Sequence, residues 1–460
     1  VKVNPETNAS GGMGRRAFLI AGAAAGATAL SYARIKGAND RILLGHIGIG
    51  KRGQEIASVV AGLKSSHNVE MTAVCDLWKE NREKGVKAAA DAYGRTPRSF
   101  VYSEDLLALK DVDAVIVSTA DHQHAPLLKS VVQAGKDAYC EKPMANVLDE
   151  AKAVRDAVRS RNSVVQIGTQ HRSEPYQIAV KEAIANGVLG DVSKVEIVWN
   201  YRGPRWRGRD EVSRIRVEDT DWKRWLLTKP YRPFDPRLYF EFRLYRDFSS
   251  GIPDQWMSHG IDLVHYFLND RFPKSTVAMG GVFAWHDGRE NPDTFQALLE
   301  YPKGFLVSYS TSFGNDCDSF TRIMGTKATL INTGGEGSQR WKMVEEKGTH
   351  EDNPFVHRSE KMITLRRSEL EPLPWTERLL TTAVEKTYGA LPFITDANPC
   401  HMRNWFDCIR SRKQPNATIE DGFAHSVAVI MAARAQREGK KLFWEPRTEQ
   451  ITDRNPFEAA

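Results

Sequence analysis

The sequence predicts an α/β plus α+β architecture: an N-terminal doubly wound parallel sheet, then a C-terminal domain built on an open antiparallel sheet. Three observations predict it. Apolar runs at Ile42–Ile47, Val69–Cys75, Ala114–Val117, Asp137–Cys140 and Val164–Gly168 alternate with stretches of helical period. Strands separated by helices make a parallel sheet with helices on both faces. Past about Gly190 the pattern changes: Val192–Tyr201 alternates as a strand, as do Phe295–Leu299, Phe305–Thr311 and Thr329–Asn332, with Pro302-Lys303-Gly304 supplying a hairpin turn. Third, Gly48-Ile49-Gly50-Lys51-Arg52-Gly53 stands between the first strand and the first helix, and Asp76 closes the second strand.

In chain order, the first helix is marked by Ile56, Val59, Val60 and Leu63 at i, i+3, i+4 and i+7. Asp76 follows Gly53 by twenty-three residues, the spacing of a Rossmann dinucleotide site. Gly48 permits a tight turn, Gly50 lets the backbone approach a pyrophosphate, and Gly53 lets helix and strand pack closely. The helix start, with Lys51 and Arg52, offers unpaired N–H groups and a positive dipole end to phosphates. Asp76 would accept ribose hydroxyls and repel a 2′-phosphate, which favours NAD; Lys79 and Arg82 leave NADP as the alternative. Lys79–Tyr93 reads as a charged surface helix, His124–Gly135 as a helix with Leu127, Leu128, Val131 and Val132 on one face, and Ala151, Val154 and Val158 as the next. The connections Gly203–Ser250 and Gly334–Thr395 are long and irregular. Helices Cys400–Arg412 and Asp421–Gly439 close the chain.

At 460 residues the chain holds two domains, and 41% hydrophobic with 27% charged residues is ordinary globular composition. The net charge of +6 selects no partner. The 5 cysteines have no C-x-x-C spacing and form neither a disulfide framework nor a zinc site. Residues 1–37 carry Arg15-Arg16, an Ala/Gly-rich run Ile20–Leu30 too short for a membrane span, and Ser31-Tyr32-Ala33. They resemble a twin-arginine export signal, so the expected location is periplasmic or otherwise exported. The dinucleotide domain is expected at 38–168. The substrate and oligomerisation domain is expected at 169–460, with its C-terminal helices free to pack back on the first.

Ser118-Thr119-Ala120-Asp121-His122-Gln123-His124-Ala125, Ala134-Gly135-Lys136 and Glu141-Lys142-Pro143, with the C-terminal stretch Arg403–Arg412, resemble the Gfo/Idh/MocA oxidoreductase family from about Ile42 to Pro446. The resemblance implies NAD or NADP on the Rossmann domain, a sugar or cyclitol substrate, and homo-oligomers through the C-terminal sheet. It implies Lys142 beside the reacting carbinol, Glu141 on the nicotinamide ribose, and His122 and His124 bordering the nicotinamide. Thr119 and Gln170 complete the candidate cofactor set. Lys142 can take a hydroxyl proton as the neutral amine, or polarise a carbonyl as the ammonium, if burial and a nearby cation lower its pKa. His259 is implied as its acid/base partner, and Asp262, three residues on, shares its helix face. The family commonly has an aspartate four positions before that histidine. Here Gln255 holds that place and Asp254 stands five before, about 140° away on an α-helix; either the turn is rebuilt or Asp254 is not catalytic. Candidate substrate contacts are Arg172, Trp206, Arg243, Asp254 and His259. The stretch Tyr201–Tyr245 is dense in arginine and aromatic residues, which suits a sugar or sugar acid as well as a packed lid. Two histidines at i, i+2 are too few for zinc, so no metal is expected, nor nucleic acid, nor a stable membrane span. A redox-neutral NAD-dependent glycosidase and a non-catalytic dinucleotide sensor remain the rival functions. Export would require a tightly held cofactor.

Overall fold

The computed structural model describes residues 40–333, 341–346 and 397–457. The export signal expected at 1–37 and most of the connection Gly334–Thr395 lie outside the described residues.

Six strands, β1 (Ile42–Ile47), β2 (Val69–Cys75), β3 (Arg98–Phe100), β4 (Ala114–Val117), β5 (Asp137–Cys140) and β6 (Val165–Ile167), form a parallel sheet in the order β3-β2-β1-β4-β5-β6. The order reverses between β1 and β4, which opens a crevice at the carboxyl ends of those strands. β4 is buried along its whole length, as a central strand covered on both faces must be. The helix Lys79–Tyr93 stops at Gly94, whose φ of +70° lets the chain leave in the left-handed region.

The second sheet has nine strands: β7 (Val192–Trp199), β8 (Ser275–Gly281), β9 (Thr294–Tyr301), β10 (Phe305–Ser312), β11 (Ser319–Gly325), β12 (Ala328–Thr333), β13 (Trp341–Glu345), β14 (Leu442–Glu445) and β15 (Gln450–Thr452). Their order is β13-β12-β11-β7-β10-β9-β8-β14-β15. The expected hairpin pairs Phe305 with Tyr301. The sheet is antiparallel except for one parallel pair, β7 with β10, so β7 enters the middle of the later strands.

Two helices tie the sheets together. Ala397–Ser411 places Met402, Trp405 and Phe406 in one apolar cluster with Ile42, Leu44 and Tyr139 of the parallel sheet. Ile419–Glu438 is buried on nearly every side, and its Ala/Val/Ile/Met composition suits a helix packed between layers. Its start is a capping box: Thr418 Oγ1 accepts from Asp421 N–H, and the Asp421 carboxylate accepts from Thr418 N–H at 2.9 Å. Ile430 and Phe423 join the core of the first sheet, and Val429 and Ala432 that of the second.

Candidate active site

The glycine loop shapes the crevice. Gly48 has φ +90°, and a Cβ there would sit 2.7 Å from Ser118 O. A Cβ on Gly53 would meet Gly48 O at 2.2 Å, whereas Gly50 faces open space. The helix Lys51–Gly62 begins at Gly50 with no side-chain cap among the described residues and no acid in its first turn, which suits its first N–H groups to an anion. This opening, about 440 Å³ and lined by Gly48, Gly50, Lys51, Arg52, Asp76 and Thr119, fits a dinucleotide on every count the loop chemistry sets. The Asp76 carboxylate accepts from Ile49 N–H at 2.6 Å and Trp78 N–H at 2.9 Å, with Asn81 Nδ2 at 3.4 Å. Burial pushes its pKa up to about 6 against those hydrogen bonds. Thr119 Oγ1 is buried and bonds to nothing among the described residues.

The Glu141-Lys142-Pro143 motif stands at the end of β5, with a cis Lys142–Pro143 peptide. Glu141 Oε1 accepts from Arg52 Nε at 2.9 Å and from Tyr139 OH at 3.1 Å. Burial would raise the Glu141 pKa, but Arg52 and Lys142 outweigh it and keep the carboxylate ionised. The glycine-loop helix is thereby tied to the lysine motif through one part-buried ion pair. Lys142 is half-buried, and its Nζ donates to the main-chain carbonyl of Gln255.

His259 lies in the helix Ser258–Leu268, its ring 5.2 Å from that of His171. Burial, then the charges of Lys142 and His171, holds its pKa well below the ordinary histidine range. The turn before it, Pro253–Met257, is π-helical. The α-helical 140° offset therefore does not apply to Asp254; the turn is rebuilt. Asp254 itself faces Ser249 and Ser250. Its Oδ2 accepts from Ser250 N–H at 2.6 Å and lies 3.5 Å from Ser249 Oγ, and the residue lines a separate cavity with Arg437 and Lys229.

Several residues chosen from the sequence face elsewhere. Asp262 shares the helix face of His259, yet its Oδ2 accepts from Arg172 Nε at 2.7 Å, and Arg172 Nη1 stands 3.2 Å from Asp421. Arg172 is 4% exposed and spent on this buried lock, so neither it nor Asp262 is presented to a substrate. His122 packs edge-on against Trp225 with Nε2 3.0 Å from Trp225 O, and burial lowers its pKa to about 3. It is a core histidine behind the crevice wall. His124 braces two loops, with Nδ1 2.8 Å from Pro143 O and Nε2 3.2 Å from Thr119 O. Gln170 is half-buried in the short turn Gln170–Ser173, and its Oε1 bonds to nothing among the described residues. Trp206, at φ +68°, packs edge-on to Phe313 at 5.4 Å. Arg243 does face the crevice, with Nη2 3.6 Å from Asp121 Oδ1.

The aromatic stretch packs across onto the parallel-sheet domain. Trp222, Trp225, Tyr239, Phe242 and Phe248 form one buried cluster with Trp78 and Ala120 of the parallel-sheet domain. Trp225 O accepts from Gln123 Nε2 at 2.7 Å, Tyr102 OH donates to Asp221 at 3.2 Å, and Arg214 pairs with Glu80 at 3.0 Å. Residues Gly203–Ser250 thus roof the dinucleotide crevice, and Arg209, Arg224, Trp225, Leu227, Tyr239 and Phe242 line its second wall. Composition marked these residues as a cluster; only the tertiary arrangement says what they cover.

Fold and site together define a two-domain dinucleotide-binding protein with a lysine and a histidine at the domain junction. Residues 42–169 match the model for the oxidoreductase family with an NAD-binding Rossmann fold, and residues 227–443 match that family's C-terminal alpha/beta domain. The chain belongs to the Gfo/Idh/MocA oxidoreductase family. It is 29% identical over 193 residues to the inositol 2-dehydrogenase of Rhizobium meliloti, covering 40% of this chain and 55% of that protein. It is 32% identical over 161 residues to that of Rubrobacter xylanophilus, covering 34% and 43%. The chain therefore matches only about half the length of these relatives. Among solved structures, the WlbA dehydrogenase from Bordetella pertussis in complex with NADH and UDP-GlcNAcA aligns at TM-score 0.62 and 19% identity, over 88% of this chain and 99% of that one. A levoglucosan dehydrogenase complexed with NADH aligns at TM-score 0.60 and 15% identity, over 87% and 98%. These two likenesses are of fold.

Proposed function

We propose that the protein is an NAD(P)-dependent oxidoreductase acting on a secondary alcohol or carbonyl of a sugar or cyclitol. The observation that carries this reading is the link from the glycine-loop helix through Arg52 and Glu141 to Lys142, which sets a proton-handling amine beside the end of a dinucleotide crevice. A nicotinamide bound there would supply the two-electron chemistry. The chain supplies the rest. Gly48, Gly50, Gly53, Lys51 and Arg52 hold the phosphates, Asp76 the ribose, and Glu141 and Thr119 the far end. Lys142 donates to the substrate oxygen, or takes its proton in the other direction. His259, kept neutral by burial, stands in the acceptor form at neutral pH. Its depressed pKa places the acid limb of kcat/KM below the ordinary histidine pKa of about 6.5, which a pH–rate profile checks. The relatives named for inositol and levoglucosan support a polyhydroxylated ring as substrate. A panel of such rings, read by absorbance of the reduced nicotinamide, tests the reading; no turnover with a dinucleotide retained would favour a sensor instead.

Asp76→Ala is expected to weaken NAD and improve relative use of NADP, because it removes both a ribose acceptor and a repulsive charge. In the intact protein the preference for NAD should grow as pH rises through about 6, where the buried carboxyl ionises. Titrations with both nucleotides between acid and neutral pH measure this, and an unchanged ratio places Asp76 away from the ribose.

The roofed crevice favours a retained cofactor, which suits an exported enzyme and the alternative of a redox-neutral glycosidase. Free aglycone from aryl glycosides without net cofactor reduction would select that alternative. Export itself is tested by a reporter fused to residues 1–37, with and without Arg15→Lys and Arg16→Lys. The open face of the second sheet is proposed as the surface that joins copies of the chain. Val277, Met279, Leu298 and Leu306 are 39%, 81%, 52% and 50% exposed on it, and Val277 pairs with Leu298 across β8 and β9. Contiguous exposed apolar side chains mark association surfaces. Leu298→Glu with Leu306→Glu should shift sedimentation to the monomer; unchanged sedimentation would remove this face from the interface.

A further inference from the structure

Asp121 lies 1% exposed at the start of the short turn Asp121–Gln123 after β4. Its Oδ2 accepts from Ser249 Oγ at 2.7 Å and from Gln255 Nε2 at 2.6 Å. Arg243 Nη2 stands 3.6 Å from Oδ1. All three partners come from the C-terminal half of the chain, while Asp121 belongs to the parallel-sheet domain. Gln255 is the third residue of the π-helical turn Pro253–Met257, and its main-chain carbonyl is the acceptor for Lys142 Nζ. The parallel-sheet domain therefore grips Gln255 twice, by its side chain through Asp121 and by its main chain through Lys142.

This double grip has a chemical consequence. An ammonium carries three donors at fixed angles, so a hydrogen bond to a rigid carbonyl constrains the directions of the others. The carbonyl is only as rigid as its turn. A π turn is a rare local geometry that recurs at functional sites and needs its surroundings to hold it. Ser249 and Gln255 here converge on one buried carboxylate oxygen, and removing that acceptor would strand the Gln255 amide and leave Ser249 only Asp254, at 3.5 Å. Resting on the oxidoreductase reading above, we infer that Asp121 is a positioning residue for the reaction: through Gln255 it holds the π turn, and through the Gln255 carbonyl it aims Lys142 at the substrate oxygen.

The test uses the full chain with its dinucleotide. Asp121→Leu and Gln255→Met each cut the link, whereas Asp121→Asn keeps an acceptor for Gln255. NADH affinity by fluorescence titration should stay within about twofold in all three, since no phosphate or ribose contact is removed. In the two cut variants kcat should fall about a hundredfold with KM little changed, the scale of a small misplacement at the reacting centre. Asp121→Asn should restore most of the loss, and Asp121→Leu with Gln255→Met should lose no more than either alone, as members of one chain of contacts do. A substrate-free readout accompanies these: pH-dependent acetylation of Lys142, followed by peptide mass spectrometry. Its midpoint should fall in both cut variants, because the ammonium loses a fixed acceptor, and stay near wild type in Asp121→Asn. Should Asp121→Leu fail to fold, Gln255→Met decides. An unchanged Lys142 midpoint in the cut variants, a loss confined to NADH affinity, or an Asp121→Asn as impaired as Asp121→Leu would each overturn the inference. Expected midpoints in a protein that turns over no sugar or cyclitol would leave the link standing and overturn the oxidoreductase reading instead.

Discussion

Lys142→Ala is expected to keep the fold and the dinucleotide and to lose turnover by about a hundred- to ten-thousandfold, the range for removing a positioned acid or base. The substitution removes no contact to the glycine loop: Arg52 still pairs with Glu141, and Tyr139 still bonds the same carboxylate. What it removes is the donor held by Gln255 O at the domain junction. Affinity for NADH measured by fluorescence should stay within about twofold while single-turnover reduction disappears, the pattern of an interaction made in the transition state. Near wild-type turnover would dismiss Lys142 from the chemistry.

Trp225→Ala is expected to release the cofactor. Trp225 stacks on Trp222 at 4.9 Å and on Tyr239 at 5.2 Å, meets Phe248 edge-on at 4.9 Å, and lines the crevice itself. Truncating a buried tryptophan costs about 3–5 kcal/mol. Local elements open with free energies below the global value, so that loss falls first on the docking of residues Gly203–Ser250. Wild type should surrender NADH slowly, and the variant about a hundredfold faster or more, at 1.4 kcal/mol per factor of ten. Displacement of NADH by excess NAD, followed by fluorescence, measures both rates. Equal rates would mean the covering segment is no barrier to exchange.

The parallel sheet was legible because its central strands are apolar runs between helices of clear period, and because three glycines with an acid at the right spacing leave few other uses. Where the signal was weak the reasons are physical. β3 is three residues, Arg98–Phe100, on an edge that needs no apolar alternation. β8 carries two glycines, and β14 returns from the far end of the chain to pair with it. The parallel pairing of β7 with β10 depends on a crossover that no local pattern announces. In the site, motif proximity gave the neighbourhood but not the side-chain direction. His122 and Asp262 sit in the expected stretches and point into packing, whereas Asp121, between a buried alanine and a histidine, points at Gln255. The Arg and aromatic residues of Gly203–Ser250 were recognisable as a cluster from composition. That they line the second wall of the crevice follows from their packing on Trp78 and Ala120, far off in sequence.

The most direct test is a single-turnover measurement on the protein as purified. Nucleotide is first released by denaturation and identified, and intact protein is then mixed with a panel of sugars and cyclitols in a stopped-flow instrument while absorbance of the reduced nicotinamide is followed. A bound dinucleotide that is reduced in one fast phase by a ring alcohol, in wild type and not in Lys142→Ala, is the predicted result. A protein that carries no dinucleotide and binds none on titration would contradict the account.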